Sequence, residues 1–275
     1  MRMRRLFDRE TGTTFMFAMS HGTSAVTVLE GMEKTREMVG HAVREGANVV
    51  FLNRGYAVQL ADIFKQNNNA ALALKVSASA PMSTRPHQEV TTSSVEEALR
   101  LGADSVVALI PIAPDNEPEV ISWVGKLGED CMKFGMPFIA EAEYPASYGQ
   151  RKPLFEMTVE YLKRIARLCE ELGADIVKSN WTGSADSFRE IVKSVQVPVI
   201  VAGGSKESEK DLLTKVAEAM EAGAKGCSVG RNIFQHDNPA GMVRAISLVV
   251  RRKAIVDEAL KELQKTSNRS AQIPG

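Results

Sequence analysis

A lysine inside an otherwise apolar segment is the sharpest chemical signal in the sequence. Lys178 lies in the run Ala-Asp-Ile-Val-Lys-Ser-Asn, residues 174–180, which predicts a buried strand. Burial disfavours the ammonium form, so we expect a lowered lysine pKa. A neutral amine can attack a carbonyl carbon and form a Schiff base, whose iminium accepts the electrons of a breaking carbon–carbon bond. The alternative is a lysine that reaches water at a strand end or pairs with a carboxylate.

Two glycine-containing turns later in the chain could bind a phosphate group. Gly203, Gly204 and Ser205 follow one apolar run, and Gly230 and Arg231 follow the next. Glycine lets backbone N–H groups approach an anion closely, and arginine can hold two phosphate oxygens at once. The alternative is that the glycines only turn the chain while Arg231 forms a surface ion pair.

Other polar residues stand at the ends of other apolar runs. Ser20 and His21 follow the first run, Arg54 follows the second and Tyr144 ends the fifth. We expect Ser20 and Arg54 to contact a substrate and His21 to orient it or to relay protons, since histidine titrates near neutral pH. The alternatives are a hydrogen-bonded core histidine and a tyrosine that only packs its ring.

A repeated pattern places these residues. Polar, helix-like segments end in a Gly-Ala pair and continue directly into apolar, often β-branched residues, and glycine suits the left-handed position that ends a helix. Each unit therefore predicts a helix, a stop and a buried strand. The pairs are Gly46-Ala47, Gly102-Ala103, Gly173-Ala174 and Gly223-Ala224.

Eight such strands alternate with amphipathic helices, which predicts parallel βαβ units closed into an α/β fold, a (β/α)8 TIM barrel. The predicted strands are 15–20, 48–53, 71–77, 105–112, 137–144, 175–180, 198–204 and 226–231. An open doubly wound sheet is the alternative, but no Gly-x-Gly-x-x-Gly follows the first strand. We expect one domain over residues 1–275, with a frayed tail at 266–275.

Composition excludes several classes of protein. Lys plus Arg equals Asp plus Glu, 34 each, whereas a nucleic-acid binder usually has a basic excess. The three cysteines, an odd number without paired spacing, argue against a disulfide framework and a zinc site. Without a long apolar run or a secretory signal, we expect a cytoplasmic protein that contacts no membrane.

Three motifs resemble those of the archaeal-type class I aldolases, also called the DhnA type. They are Asp175–Gly183, Val199–Gly204 and Val229–His236, and residues 173–240 carry most of a resemblance that runs from about Phe15 to Leu263. The family includes fructose-bisphosphate aldolases, synthases of amino-dideoxy-heptulosonate and a thiolase that degrades a bacterial quorum signal.

The resemblance implies roles for individual residues. Lys178 would form the Schiff base, and Tyr144, in the pair Tyr144-Pro145, would be the acid/base group. The resemblance also implies no metal, no cofactor and a homo-oligomer, often a decamer. The phosphate would be held by Gly203, Gly204, Gly230 and Arg231.

One position departs from the family pattern. The family usually has Asp-His-Gly after the first strand, but this chain has Ser20 before its histidine. A hydroxyl cannot replace a carboxylate in holding charge at neutral pH. Glu141 or Glu143 could compensate, although strand alternation would place both on the face opposite Tyr144. Lys75 could line the pocket or pair with Glu141.

The sequence therefore predicts a metal-independent aldolase that acts on a phosphorylated ketose such as fructose 1,6-bisphosphate or uses dihydroxyacetone phosphate. A transferase of the same chemistry is the first alternative, either an amino-dideoxy-heptulosonate synthase or a diketone-phosphate thiolase. The second is a phosphate-binding barrel without a covalent intermediate, whether an isomerase, another lyase or a non-catalytic binding protein.

Overall fold

Eight parallel strands close into a barrel, as the sequence predicts. The computed structural model describes residues 2–66, 70–85, 88–144 and 158–265, so Pro145 and the predicted tail 266–275 lie outside the described residues. The strands are β1 (Thr14–Ala18), β2 (Val49–Leu52), β3 (Ala71–Lys75), β4 (Ser77–Ser79), β5 (Glu89–Thr91), β6 (Ser105–Leu109), β7 (Phe138–Ala142), β8 (Ile176–Ser179), β9 (Val199–Ala202) and β10 (Gly226–Val229). The barrel order is β1-β10-β9-β8-β7-β6-β3-β2, and the predicted (β/α)8 fold is confirmed.

Helices connect the barrel strands and follow the last of them. They are α1 (Thr35–Glu45), α2 (Arg54–Gln59), α3 (Ala61–Gln66), α4 (Val95–Arg100), α5 (Glu117–Phe134), α6 (Val159–Glu171), α7 (Ala185–Ser194), α8 (Glu209–Glu221), α9 (Arg231–Phe234), α10 (Pro239–Arg252) and α11 (Val256–Leu263). Within the described ranges, no helix combines the length and the apolarity that crossing a membrane would need.

The helix ends follow directly from side-chain chemistry. All four glycines of the predicted Gly-Ala stops have positive φ angles, so this prediction is confirmed. Four helices begin at a hydroxyl that accepts a backbone N–H from the first turn, which satisfies a donor that has no partner within the helix. These caps are Ser94, Thr158, Ser184 and Ser208.

Two hydrophobic cores divide the barrel residues by strand alternation. Residues facing outward pack under the helices, and those facing inward form a second core that includes Met16, Phe51, Ile139 and Ile176. The N-terminal segment closes this inner core, because Leu6 is fully buried within it. The barrel is therefore filled with side chains and is not a pore.

Side chains that directly precede three of the strands accept hydrogen bonds from the first residues of neighbouring strands. Asn48 Oδ1 accepts the N–H of Phe15 at 2.9 Å, and Asp175 Oδ2 accepts the N–H of Phe138 at 2.9 Å. Asp104 accepts a third N–H, from β3, at 3.1 Å. Each bond satisfies a backbone donor at the start of a neighbouring strand and thereby helps to fix the strand register.

A small antiparallel hairpin is the main element that the sequence analysis missed. β4 pairs with β5, with Ser77 opposite Thr91, between β3 and α4. Strands of three residues carry too little alternation to be recognised from sequence. The predicted barrel strands are all present, but all eight end earlier than predicted, and β7 ends at Ala142 instead of residue 144.

A close contact between α5 and the α6–β8 turn gives the first testable prediction. A Cβ atom at Gly128 would lie 1.9 Å from the carbonyl oxygen of Leu172, whereas one at Gly125 would meet only a Leu172 methyl at 3.8 Å. Alanine in a helix interior normally stabilises by roughly 0.5–1 kcal/mol relative to glycine. We expect that gain for Gly125→Ala. For Gly128→Ala we expect a loss of about 1–3 kcal/mol from overpacking.

Urea unfolding measures the free energy of unfolding of both variants. The two substituted positions lie less than one turn apart in the same helix. Equal stability changes in the two variants would contradict the proposed close contact.

Candidate active site

Charged side chains continue the inner core at the carboxyl end of the barrel. Inward positions recur at every second residue of a strand. The next inward positions beyond the apolar residues of β3, β7 and β8 are Lys75, Glu141 and Lys178, respectively. Glu141 and Lys178 are also register partners on adjacent strands. The barrel geometry alone therefore brings these three side chains together.

The charges form a continuous row. Lys178 Nζ donates to Glu141 Oε1 at 2.7 Å and lies 2.7 Å from Glu143 Oε1. Lys75 Nζ donates to the other oxygen of Glu141. We call Lys75, Glu141, Lys178 and Glu143 the charge row. Its first three members are less than a tenth exposed, so their charges interact with little screening by water.

The charge row reverses the predicted pKa shift of Lys178. Burial alone would lower the pKa, as predicted, but the charges of Glu141 and Glu143 and their hydrogen bonds outweigh burial and raise it above the ordinary lysine value. The prediction of a lowered pKa is therefore wrong for this state of the protein. Burial likewise acts to raise the Glu141 pKa, but the two ammonium groups beside this carboxylate lower it. Lys178 is thus an ammonium paired with carboxylates.

Both glutamates contact Lys178, and alternation along β7 gives them the same, inward side. The sequence analysis oriented them relative to Tyr144 on a strand that continues that far, but β7 ends at Ala142. The N–H of Glu143 donates to the carbonyl oxygen of Glu141 at 2.9 Å, which is a tight turn directly after the strand. Of the two roles considered for Lys75, the structure supports pairing with Glu141.

Tyr144 is buried where β7 and β8 end. Its N–H donates to Asn180 Oδ1 at 2.8 Å, so the segment after β8 holds its backbone. Its ring lies edge-on to that of Tyr161, with centroids 5.8 Å apart, and the Tyr161 hydroxyl donates to the carbonyl oxygen of Ile112 at 2.7 Å. The tyrosine predicted to be an acid/base group is therefore held in place from two sides.

His21 lies between the lysine and the predicted phosphate loops. Its ring is edge-on to Phe234, with centroids 5.3 Å apart. Burial, followed by the positive charges of Arg231 and Lys178, lowers the His21 pKa to about 3. The imidazole is therefore neutral at physiological pH. Neighbouring Ser20 is buried, and its carbonyl oxygen accepts a hydrogen bond from Asn53 at 3.0 Å.

The glycines after β9 and β10 have different structural roles. The Gly203 N–H donates to the carbonyl oxygen of Ser228 at 2.8 Å, so it is engaged within the barrel. Gly204 is exposed and has a φ of 75°, which favours glycine. A Cβ at Gly230 would lie 2.4 Å from the carbonyl oxygen of Ala18. Gly230 therefore permits the close approach of the β1 and β10 ends.

Asn232, to which the sequence analysis gave no role, connects the two loops. Its Nδ2 donates to the carbonyl oxygens of Gly203 at 3.3 Å and Ser205 at 2.9 Å. Its Oδ1 accepts the N–H of Glu207 at 2.9 Å. Because Asn232 is buried beside Arg231, it fixes the loop after β9 relative to that arginine. Its place directly after the Gly-Arg pair was the only sequence signal.

Arg54 occupies a different environment. It is the first residue of α2, is exposed, and forms an ion pair with Glu97 of α4, with Nη1 at 3.2 and 3.3 Å from the two carboxylate oxygens. In the structure the Arg54 guanidinium is therefore engaged in this ion pair. Its predicted contact with a substrate stays a prediction.

The cysteines are buried thiols. Cys131, Cys169 and Cys227 are all free, and burial raises the pKa of each thiol. Within the described part of the chain, no group of three or more His, Cys, Asp or Glu side chains is arranged to hold a metal ion.

Solved structures similar to this chain include Schiff base-forming enzymes. A fructose-1,6-bisphosphate aldolase described as Schiff base-forming matches with a TM-score of 0.78 and 28% identity, covering 90% of this chain and 98% of the other. An archaeal fructose 1,6-bisphosphate aldolase matches with a TM-score of 0.76 and 27% identity, covering 91% and 98% of the two chains.

Curated relatives are similar over nearly the whole chain. The 2-amino-3,7-dideoxy-D-threo-hept-6-ulosonate synthase 1 of Archaeoglobus fulgidus is 34% identical over 263 residues, which is 94% of each chain. The corresponding synthase of Halobacterium salinarum is 31% identical over 242 residues, 88% of each chain. The family model for DeoC/LacD family aldolases matches residues 11–236. This chain therefore belongs to the DeoC/LacD aldolase family.

Proposed function

We propose that Lys178 forms a Schiff base with the carbonyl carbon of a phosphorylated keto substrate, and that the iminium supports making or breaking a carbon–carbon bond. The observation that carries the proposal is the position of Lys178, buried at the carboxyl end of β8 with its Nζ between two carboxylates. Active sites of these barrels lie at this end. The adjacent carboxylates can accept the proton that an ammonium must lose before it attacks a carbonyl.

The loops after β9 and β10 are the proposed phosphate site. Arg231 would hold two phosphate oxygens, and the exposed backbone at Gly204 and Ser205 would supply N–H donors. Asn232 and Gly230 keep these groups in place by the contacts described above. A docked phosphate would fix the substrate carbonyl near Lys178, which converts binding energy into proximity.

Three residues near the lysine would complete the reaction. Tyr144 would move the proton of the substrate hydroxyl where the carbon–carbon bond is made or broken. His21, being neutral, would orient the substrate by hydrogen bonding instead of donating a proton as imidazolium. Ser20 would supply a hydroxyl to the substrate, which suits hydrogen bonding and not charge compensation.

Two reactions are consistent with this chemistry, and we favour a synthase of the 2-amino-3,7-dideoxy-D-threo-hept-6-ulosonate type. Two curated relatives that cover most of this chain carry that activity in their names. Cleavage of fructose 1,6-bisphosphate is the second candidate, favoured by the structural similarity to aldolases of that substrate. In both reactions the lysine would have the same role, and the partner aldehyde or acyl group would differ.

Several expectations from the sequence stay predictions beside this proposal. They are a single domain over residues 1–275, a homo-oligomer and a cytoplasmic location, with no bound cofactor and no nucleic-acid partner. Dependence on coenzyme A would distinguish the thiolase-type transferase, the alternative that the sequence analysis also named, from both reactions.

Chemical trapping tests the central step. With borohydride present, dihydroxyacetone phosphate or fructose 1,6-bisphosphate should leave a stable adduct on the peptide that contains Lys178, as read by mass spectrometry. Lys178→Met should abolish the adduct and turnover while inorganic phosphate still binds. The control is Lys163 of α6, whose side chain is 28% exposed: Lys163→Met should form the adduct on Lys178 as the wild type does. An adduct on Lys75 instead of Lys178 would overturn the assignment.

Removal of the arginine tests the phosphate site. Hydrogen bonds to charged groups contribute about 1.5–3 kcal/mol, so Arg231→Met should raise KM for a phosphorylated substrate by roughly 10- to 100-fold. Steady-state kinetics measure this change. The matched control is Arg189→Met on α7, which removes a partly exposed arginine that pairs with Asp186. An unchanged KM in Arg231→Met would place the phosphate elsewhere.

The lowered His21 pKa predicts acid sensitivity. The folded protein binds a proton at His21 only near pH 3, whereas the unfolded chain binds one near 6.5. The unfolded state therefore gains protons first, and His21 should contribute a loss of stability as pH falls from about 6.5 toward 3. Urea unfolding at several pH values should give a shallower loss for His21→Asn than for the wild type. Identical slopes would mean that the His21 pKa is ordinary.

A further inference from the structure

We propose that Glu143 is the catalytic carboxylate that takes the proton from the Lys178 ammonium and returns it to the hydroxyl of the carbinolamine. The inference rests on the proposed function, because it needs Lys178 to form a Schiff base. The assignment depends on the difference between the two glutamates that contact Lys178.

Glu141 is the structural member of this pair. Lys75 and Lys178 each donate to one of its oxygens, and its side chain is 9% exposed. If Glu141 took a proton, the buried Lys75 ammonium would lose its ion pair with this carboxylate, which is a costly change. The positive charges of both lysines lower the Glu141 pKa despite burial, so this carboxylate is a poor proton acceptor.

Glu143 differs from Glu141 in both respects. Within the described residues its ion pair is with Lys178, at 2.7 Å, and its side chain is 16% exposed. Proton transfer from Lys178 to Glu143 removes both charges of this pair together, so no charge is left buried without a partner. Glu141 stays ionised and keeps Lys75 paired. Glu143 also follows the end of β7, toward the open end of the barrel, where a substrate carbonyl would enter.

The position of Glu143 depends on the tight turn after β7. The N–H of Glu143 donates to the carbonyl of Glu141, and the next N–H, that of Tyr144, donates to Asn180. The Glu143 backbone is therefore fixed between two consecutive hydrogen bonds. This arrangement holds the carboxylate close to the lysine without a further residue.

Protons and charge are conserved through the formation of the Schiff base. Glu143 accepts one proton from the Lys178 ammonium, and the resulting amine forms a bond to the carbonyl carbon. A proton moves from that nitrogen to the former carbonyl oxygen, which gives the carbinolamine. Glu143 then protonates the hydroxyl, the carbon–oxygen bond breaks and water leaves. The iminium carries the one positive charge that the ammonium carried, and Glu143 is again a carboxylate.

The test compares the rates of Schiff-base formation in matched variants. Trapping of dihydroxyacetone phosphate by borohydride in a single turnover should be slower in Glu143→Gln by about 10²–10⁴-fold, the usual contribution of general acid–base catalysis. The affinity for inorganic phosphate should not change. In Glu143→Ala, added formate should restore the trapping rate in a concentration-dependent manner, because formate supplies the missing carboxylate. A purely structural role for Glu143 would give no such rescue.

The possible outcomes separate this inference from the proposed function. If the wild type traps substrate on Lys178 and Glu143→Gln traps at the same rate, the assignment of Glu143 is wrong and the Schiff base stands. If the wild type forms no adduct, both proposals fail together. Should Glu143→Gln fail to fold, Glu143→Asp provides the test, because the shorter carboxylate should give an intermediate rate. A wild-type rate in Glu143→Asp and no formate effect on Glu143→Ala would contradict the inference.

Discussion

The buried charge row is the interaction on which the active end of the barrel depends. Transfer of an ion from water into a protein interior costs several kcal/mol, which close pairing must offset. The row contains two cations and two anions, so its formal charge is zero. Three strands must hold their register for these charges to meet, because a shift by one residue would turn each side chain into the outer core. The strand register therefore determines whether the buried charges are paired, and their pairing in turn favours this register.

Around the charge row, asparagine side chains connect the carboxyl ends of neighbouring strands by hydrogen bonds. Asn53 connects the ends of β2 and β1, Asn180 connects those of β8 and β7, and Asn232 connects the loops after β10 and β9. An asparagine amide can donate and accept at once, so one side chain can satisfy backbone groups of either kind. The loops that would surround the substrate are thus held by neutral hydrogen bonds, which do not alter the electrostatics around Lys178.

The sequence predicted the barrel more fully than it predicted the site. Glycine stops and apolar runs are local signals, and they were sufficient for the strand order and for the position of Lys178. The protonation state of that lysine could not be predicted, because its pKa depends on carboxylates that lie beside it only when the strands pair in the native register. The side of Glu141 and Glu143 was not predicted, because the alternation was judged from Tyr144, which lies beyond the end of β7. Asn232 was missed because hydrogen bonding between loops leaves no periodic pattern.

Because the barrel is closed, its first strand has to wait during synthesis for its last strand. β1 pairs with β2 on one side and with β10 on the other, so Thr14 lies beside Gly226. Ribosomes add about 5–20 residues per second, so one edge of β1 waits roughly 10–40 s for the strand that covers it. An uncovered strand edge is a template for pairing with another chain. Until its last barrel strand emerges, the nascent protein therefore carries such a template along one edge of β1.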